Sequence, residues 1–125
     1  MHDRRSILVV DDEADIRSIV AMMLEDKDFA VLEASSGNEA LEIFQREEVF
    51  AIFSDIRMDD GDGIELLRRI RSIDQSKPFI CLMTGFTYKS EKEILDMGAN
   101  AVFSKPLDFT LMMKTLNEYM DCLLK

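Results

Sequence analysis

Apolar residues recur along the chain in two alternating patterns. Short, nearly unbroken runs occur at "SILVV" (6–10), "FAVLEA" (29–34), "FAIFS" (50–54), "FICLMT" (79–84) and "AVFS" (101–104). Four of the five are apolar almost throughout, as expected of parallel strands covered on both faces; the second alternates at its end through Glu33, as an edge strand does. Between the runs lie helical patterns. Ile16, Ile19, Val20, Met23 and Leu24 follow the i, i+3, i+4, i+7 spacing of a buried helix face, as do Ala40, Leu41, Ile43 and Phe44 more loosely. "SGNE" (36–39), "DGIE" (62–65) and "SEKE" (90–93) each set a Ser or Asp three residues before a Glu, the signature of a capped helix start. A last helix places Phe109, Met112, Met113, Leu116, Met120 and Leu123 on one stripe, read as core packing, as are most of the nine methionines.

Five β-α units in succession imply right-handed crossovers and a doubly wound α/β sheet. The expected fold is a single flavodoxin-like (βα)5 three-layer sandwich with strand order 2-1-3-4-5, in which strands 1 and 3 meet at the topological switch point. All 125 residues fit one such domain, with residues 1–5 frayed and no output domain. Whether it is a stand-alone protein or part of a longer one stays open.

Charge narrows the function. With 25 Asp+Glu against 15 Lys+Arg the net charge is −10, which repels phosphate backbones and argues against direct nucleic-acid binding. No apolar run is long enough to span a membrane, and a cytoplasmic location is expected. Cys81 and Cys122 read as core-filling thiols. The one histidine, His2, falls in the terminus, which argues against a histidine-based triad, a zinc site or a phosphohistidine on this chain.

Ligands of such sheets bind at the carboxyl ends of the strands, where this chain has complementary groups. Strand 1 runs into Asp11, Asp12 and Glu13, strand 3 into Asp55, strand 4 into Thr84-Gly85, and strand 5 into Lys105-Pro106. Asp12 and Asp55, on adjacent strands, suit one Mg²⁺ ion. Asp55 suits a nucleophile toward phosphorus, with Lys105 stabilising the transferring phosphoryl group and Thr84 donating a hydrogen bond to the product. Pro106 aims Lys105, by restricting it to extended geometry or through a cis bond. A calcium loop within "SDIRMDDGDGIE" (54–65) fails: with Gly61 at the invariant sixth position, Ile56, Met58 and Leu67 would have to be ligands. Asp62 is expected to cap the third helix, Asp59 and Asp60 to be solvated, and Gly61 and Gly63 to permit the turn.

The set "DDE" (11–13), "DIRM" with "DG" (55–58, 62–63), "TG" (84–85) and "KP" (105–106) resembles the receiver domain of two-component response regulators, in order and over essentially the whole chain. The resemblance implies that Asp55 is the phosphoacceptor, that Asp12 binds Mg²⁺ directly and Asp11 mainly through water, and that the Arg57 backbone carbonyl completes the metal ligands. Thr84 and Lys105 match the family's switch hydroxyl and phosphate-binding lysine. The donor would be a phosphohistidine on a sensor histidine kinase or a histidine phosphotransfer protein. A downstream effector or output domain would read the face formed by helix 4, strand 5 and helix 5, which can also form a homodimer. Such a domain is no enzyme beyond its own phosphorylation and dephosphorylation.

Two positions depart from the family pattern. Asp59 stands where proline is common. Val102 stands where the switch region, with Thr84, Lys105 and Pro106, usually has an aromatic; Phe103, its neighbour, points to the opposite face and cannot substitute. Arg57 and Phe86 occupy the positions that tune phosphoryl lifetime. Other readings are a degenerate receiver acting as an unphosphorylated scaffold and, more remotely, a Mg²⁺-dependent phosphohydrolase of the haloacid dehalogenase type. The latter wants an acid two residues beyond its nucleophile, where this chain has Arg57. A flavin or nucleotide binder would want a Gly/Ser/Thr-rich loop after strand 1 in place of three acids.

Overall fold

A computed structural model describes residues 5–85 and 89–123. Five strands, β1 (Ser6–Val10), β2 (Ala30–Ala34), β3 (Ala51–Asp55), β4 (Phe79–Thr84) and β5 (Ala101–Ser104), alternate with five helices, α1 (Ala14–Asp26), α2 (Gly37–Arg46), α3 (Gly63–Ile73), α4 (Glu91–Asp96) and α5 (Phe109–Leu123). All four strand pairings are parallel, and the order is β2-β1-β3-β4-β5, the flavodoxin-like arrangement expected.

Alternation along the strands divides the core into two layers. Leu8, Val10, Ile52, Ile80 and Leu82 pack with α2, α3 and Ile94 of α4; Ile7, Val9, Phe53, Cys81 and Met83 pack with α1 and α5. Val102 joins the first layer and Phe103 the second, so the two do occupy opposite faces. β3 is buried at every position, whereas β5, apolar in sequence, is only half-buried because it forms the second edge of the sheet.

The helix starts follow the capping signatures. Ser36 accepts from Glu39 N, Asp62 from Glu65 N, and Ser90 forms a complete capping box with Glu93. α4, with only Ile94 buried, is the short polar helix that its sequence suggests.

Several expectations do not survive. Ile19 is 56% exposed and Met23 37%, because α1 buries only the narrow Val20–Ala21–Leu24 stripe, with Ile16 partly buried against it. Leu123 is exposed at the end of α5, and Cys122 is exposed while Cys81 is buried. Arg5 is not frayed. Its carbonyl accepts from Ala30 N, and its guanidinium lies 4.9 Å from the centre of the Phe50 ring.

Candidate functional site

Parallel register brings the strand ends to one rim. Val10 pairs with Ser54, so Asp11 and Asp55 follow side by side. Backbone bonds knit the first residue beyond each strand to its neighbour: Asp11 N to Ala34 O, Ile56 N to Met83 O, and Lys105 N to Thr84 O. The positions of the functional side chains are therefore set by the sheet.

Carboxylate oxygens of Asp11, Asp12 and Asp55 lie within 4.8 Å of one another, with Asp11 and Asp55 buried and Asp12 exposed. Lys105 Nζ donates to Asp55 Oδ2 at 3.0 Å. Asp11 Oδ1 accepts from Glu13 N at 2.9 Å, which turns the chain into α1, while Asp11 Oδ2 is buried with no hydrogen-bond partner among the described residues. Thr84 Oγ1 is buried in the same condition. The Lys105-Pro106 bond is cis, the second of the two arrangements the sequence allowed.

The electrostatics follow from this crowding. Burial pushes the Asp11 carboxyl above its ordinary value; the bond from Glu13 opposes this, and the Asp55 charge adds to it. Burial alone would lower the Lys105 ammonium, but its bond to Asp55 and the charges of Asp55, Asp11 and Glu13 leave it raised and firmly protonated. Three acids sharing one lysine, with one buried carboxylate oxygen unpartnered, fit a divalent cation: hard oxygen donors, excess negative charge and a vacant acceptor.

Arg57 follows Asp55 and Ile56 with its side chain exposed, and Val102 is half-buried against the first core layer. Phe86 lies outside the described residues. Asp62 caps α3 as expected, but Asp60 is not merely solvated: Asn38 Nδ2 donates to its Oδ1 at 2.8 Å. Gly61 has φ +94°, the freedom expected of it, whereas Gly63 is needed for closeness, since a Cβ there would lie 2.4 Å from Asp55 O.

Sequence reasoning passed over Arg17. Its Nη1 donates to Asp11 O at 2.6 Å and its Nε to Glu33 Oε1 at 3.1 Å, tying the β1–α1 turn to the neighbouring strand. A lone arginine in the otherwise acidic first turns of α1 was the available signal.

An apolar cleft of about 300 Å³ adjoins the acids, lined by Ile16, Ile19 and Met23 of α1 and by Pro106, Leu107 and Lys105. A larger cleft, about 730 Å³, lies at the opposite end of the sheet beside Arg5, Phe50, Lys77 and Tyr119, far from this chemistry. The smaller one shares Lys105 with the acid cluster.

Buried acids and a lysine on the carboxyl rim of such a sheet define a class of signalling domains that accept a phosphoryl group on aspartate. Residues 7–117 match the response regulator receiver domain, and the chain belongs to that family. Among relatives, an uncharacterised 14.6 kDa protein of Leptolyngbya boryana is 33% identical over 115 residues, covering 90% of this chain and 88% of that protein. The transcriptional regulatory protein ZraR of Escherichia coli K12 is 35% identical over 118 residues, and there this chain spans 94% of itself but only 26% of the relative. Among solved structures, the chemotaxis protein CheY4 of Vibrio cholerae matches with a TM-score of 0.82 at 30% identity, covering 93% of this chain and 98% of that one. Receiver domains are signalling domains and not enzymes in the ordinary sense. Among the described residues, no helix is long and apolar enough to cross a membrane.

Proposed function

We propose that this chain takes a phosphoryl group onto Asp55 from a phosphohistidine of a sensor histidine kinase or histidine phosphotransfer protein, in the cytoplasm. The observation that carries the reading is Lys105 Nζ at 3.0 Å from Asp55 Oδ2, beside two further acids. As an Asp55 oxygen bonds to phosphorus, the P–N bond breaks and its electron pair leaves with the donor imidazole. Lys105, held protonated, leaves the carboxylate and follows the negative charge onto the phosphoryl oxygens. The Thr84 hydroxyl, without a partner among the described residues, gains one in a phosphoryl oxygen. Asp12 and Asp55 directly, Asp11 through water, and the Arg57 carbonyl would hold Mg²⁺, which when bound supplies neutralisation of charge on those oxygens.

The donor's histidine-bearing surface is proposed to cover the apolar cleft between α1 and Pro106–Leu107. Lys105 lines both the cleft and the acceptor site, so a donor reaching Asp55 must pass over it. The phosphorylated form is read by an effector, output domain or second copy at the α4-β5-α5 face, where α4 has a single buried anchor and is the element freest to shift.

Incubation with acetyl phosphate and Mg²⁺, followed by intact-mass measurement, tests the chemistry. Wild type is expected to gain one phosphoryl group and D55N none; equal adducts on both would overturn the assignment.

A further inference from the structure

The loop from β3 to α3, residues 56–62, carries three acids and no proline. It is nevertheless held at three points. At its base, Gly63 N donates to Ile56 O at 2.8 Å. In its middle, Met58 packs against the core layer shared with α2 and α3. At its tip, Gly37 N donates to Gly61 O at 2.8 Å, Asn38 N to Asp60 O at 3.2 Å, and Asn38 Nδ2 to Asp60 Oδ1 at 2.8 Å.

The tip needs holding. Asp60 and Gly61 have φ of +59° and +94°, two successive left-handed residues, the first of them not a glycine. Contact with α2 is close enough that a Cβ on Gly37 would lie 2.4 Å from Gly61 O. Asn38 meets Asp60 twice: its backbone N–H donates to the Asp60 carbonyl, and its side-chain amide donates to the Asp60 carboxylate. Between the clipped tip and the bonded base runs Arg57. With both ends fixed, six residues have little freedom left to turn the Arg57 carbonyl away.

We infer that Asn38 is a positioning residue for cation binding: by clipping Asp60 it holds the Arg57 carbonyl in place, doing from α2 what a proline at position 59 would do within the loop. This rests on the proposed role of that carbonyl as a metal ligand. Among the described residues, Asn38 makes no hydrogen bond to Asp11, Asp12 or Asp55, so it would act through the loop alone.

The test uses N38D, D60N and the double variant N38D/D60N in the full chain, with Mg²⁺ affinity read by calorimetry. N38D sets two carboxylates against each other and breaks the clip. Its added negative charge would by itself tighten cation binding, so weaker binding cannot be a charge effect. The double variant has wild-type net charge and restores a side-chain bond with donor and acceptor exchanged. Mg²⁺ binding to N38D is expected to be about tenfold weaker, in the range of lost outer-shell support, and within about threefold of wild type in the double variant. In metal-free protein, amide exchange at Gly37 and Asn38 should quicken in N38D and slow again in the double variant. Unchanged affinity in N38D overturns the inference, as does a loss the double variant fails to restore. Wild type that binds no Mg²⁺ would instead overturn the metal reading on which the inference rests.

Discussion

The two ends of the sheet are finished in opposite ways. At the amino end, Arg71 sends its guanidinium to Gly98 O and Pro78 O at 2.8 Å each and to Asn100 Oδ1 at 3.1 Å, while Asn100 Oδ1 also accepts from Ile80 N at 2.9 Å. Nearby, Phe50, Phe79 and Tyr119 pack with ring centres 4.9–5.8 Å apart. At the carboxyl end, two buried polar atoms, Asp11 Oδ2 and Thr84 Oγ1, have no partner among the described residues, and three acids crowd one lysine. Burial of polar groups is tolerable when every group is paired, and costs stability when it is not. The paired end closes the fold; the other end is the one proposed to take a ligand. On that proposal, stability and function in this domain are spatially separate.

The sharpest way to break that separation is at Arg71. R71A strands the Gly98 and Pro78 carbonyls in a half-buried site and removes one of the two bonds to Asn100 Oδ1, and should cost about 3 kcal/mol, or roughly 10 °C in melting temperature for a domain of this size. R71K should recover less than half, since a single ammonium lacks the planar fork that reaches three acceptors on two segments. Phosphorylation by acetyl phosphate, measured well below the melting point, should stay within about twofold of wild type. A large loss of phosphorylation in a folded R71A would mean that the two ends are coupled after all.

The opposite change is expected at Asp11. D11N removes a carboxylate raised by burial and by Asp55, so the metal-free protein should gain roughly 1 kcal/mol at neutral pH while losing Mg²⁺ binding. The pH dependence has a definite sign. Because the folded carboxyl is raised above its ordinary 3.8, the native state holds this proton to higher pH than the unfolded chain does. Its ionisation therefore costs stability as pH rises through the raised value. The advantage of D11N over wild type should be full at neutral pH and shrink as pH falls through the Asp11 titration toward 3.8. An advantage that stays constant with pH, or D11N melting lower than wild type, would show that Asp11 is structurally satisfied.

The carboxyl end was the more legible of the two in the sequence. Its groups each follow directly on an apolar run, so strand order alone brings Asp11, Asp12, Asp55 and Lys105 together. The amino end was not legible. Arg71, like Arg17 and Asn38, bonds largely to backbone carbonyls or to turns, and nothing in a residue's type shows which carbonyl will lie near it. Periodicity failed on α1 for a related reason: it gives Ile19 and Val20 equal claim to the core, and only the position of α1 over the sheet leaves Ile19 outside. Asp60 is exposed as expected, but its bond to Asn38 was not legible because that partner comes from α2.

Ile19 also supports the smallest perturbation that still separates the two ends. It is 56% exposed and lines the cleft beside Lys105, so I19Q removes little buried surface and should leave stability within about 0.5 kcal/mol of wild type. Phosphoramidate carries the same P–N bond as phosphohistidine but no protein surface, and its rate on I19Q should match wild type. Transfer from a phosphorylated histidine phosphotransfer protein should fall by roughly 3–10-fold, the worth of one well-packed apolar contact. Equal losses with both donors would place the defect in the acid site and not in docking. No loss with either would remove the cleft from the donor's path and leave Ile19 as an apolar residue that this chain exposes without use.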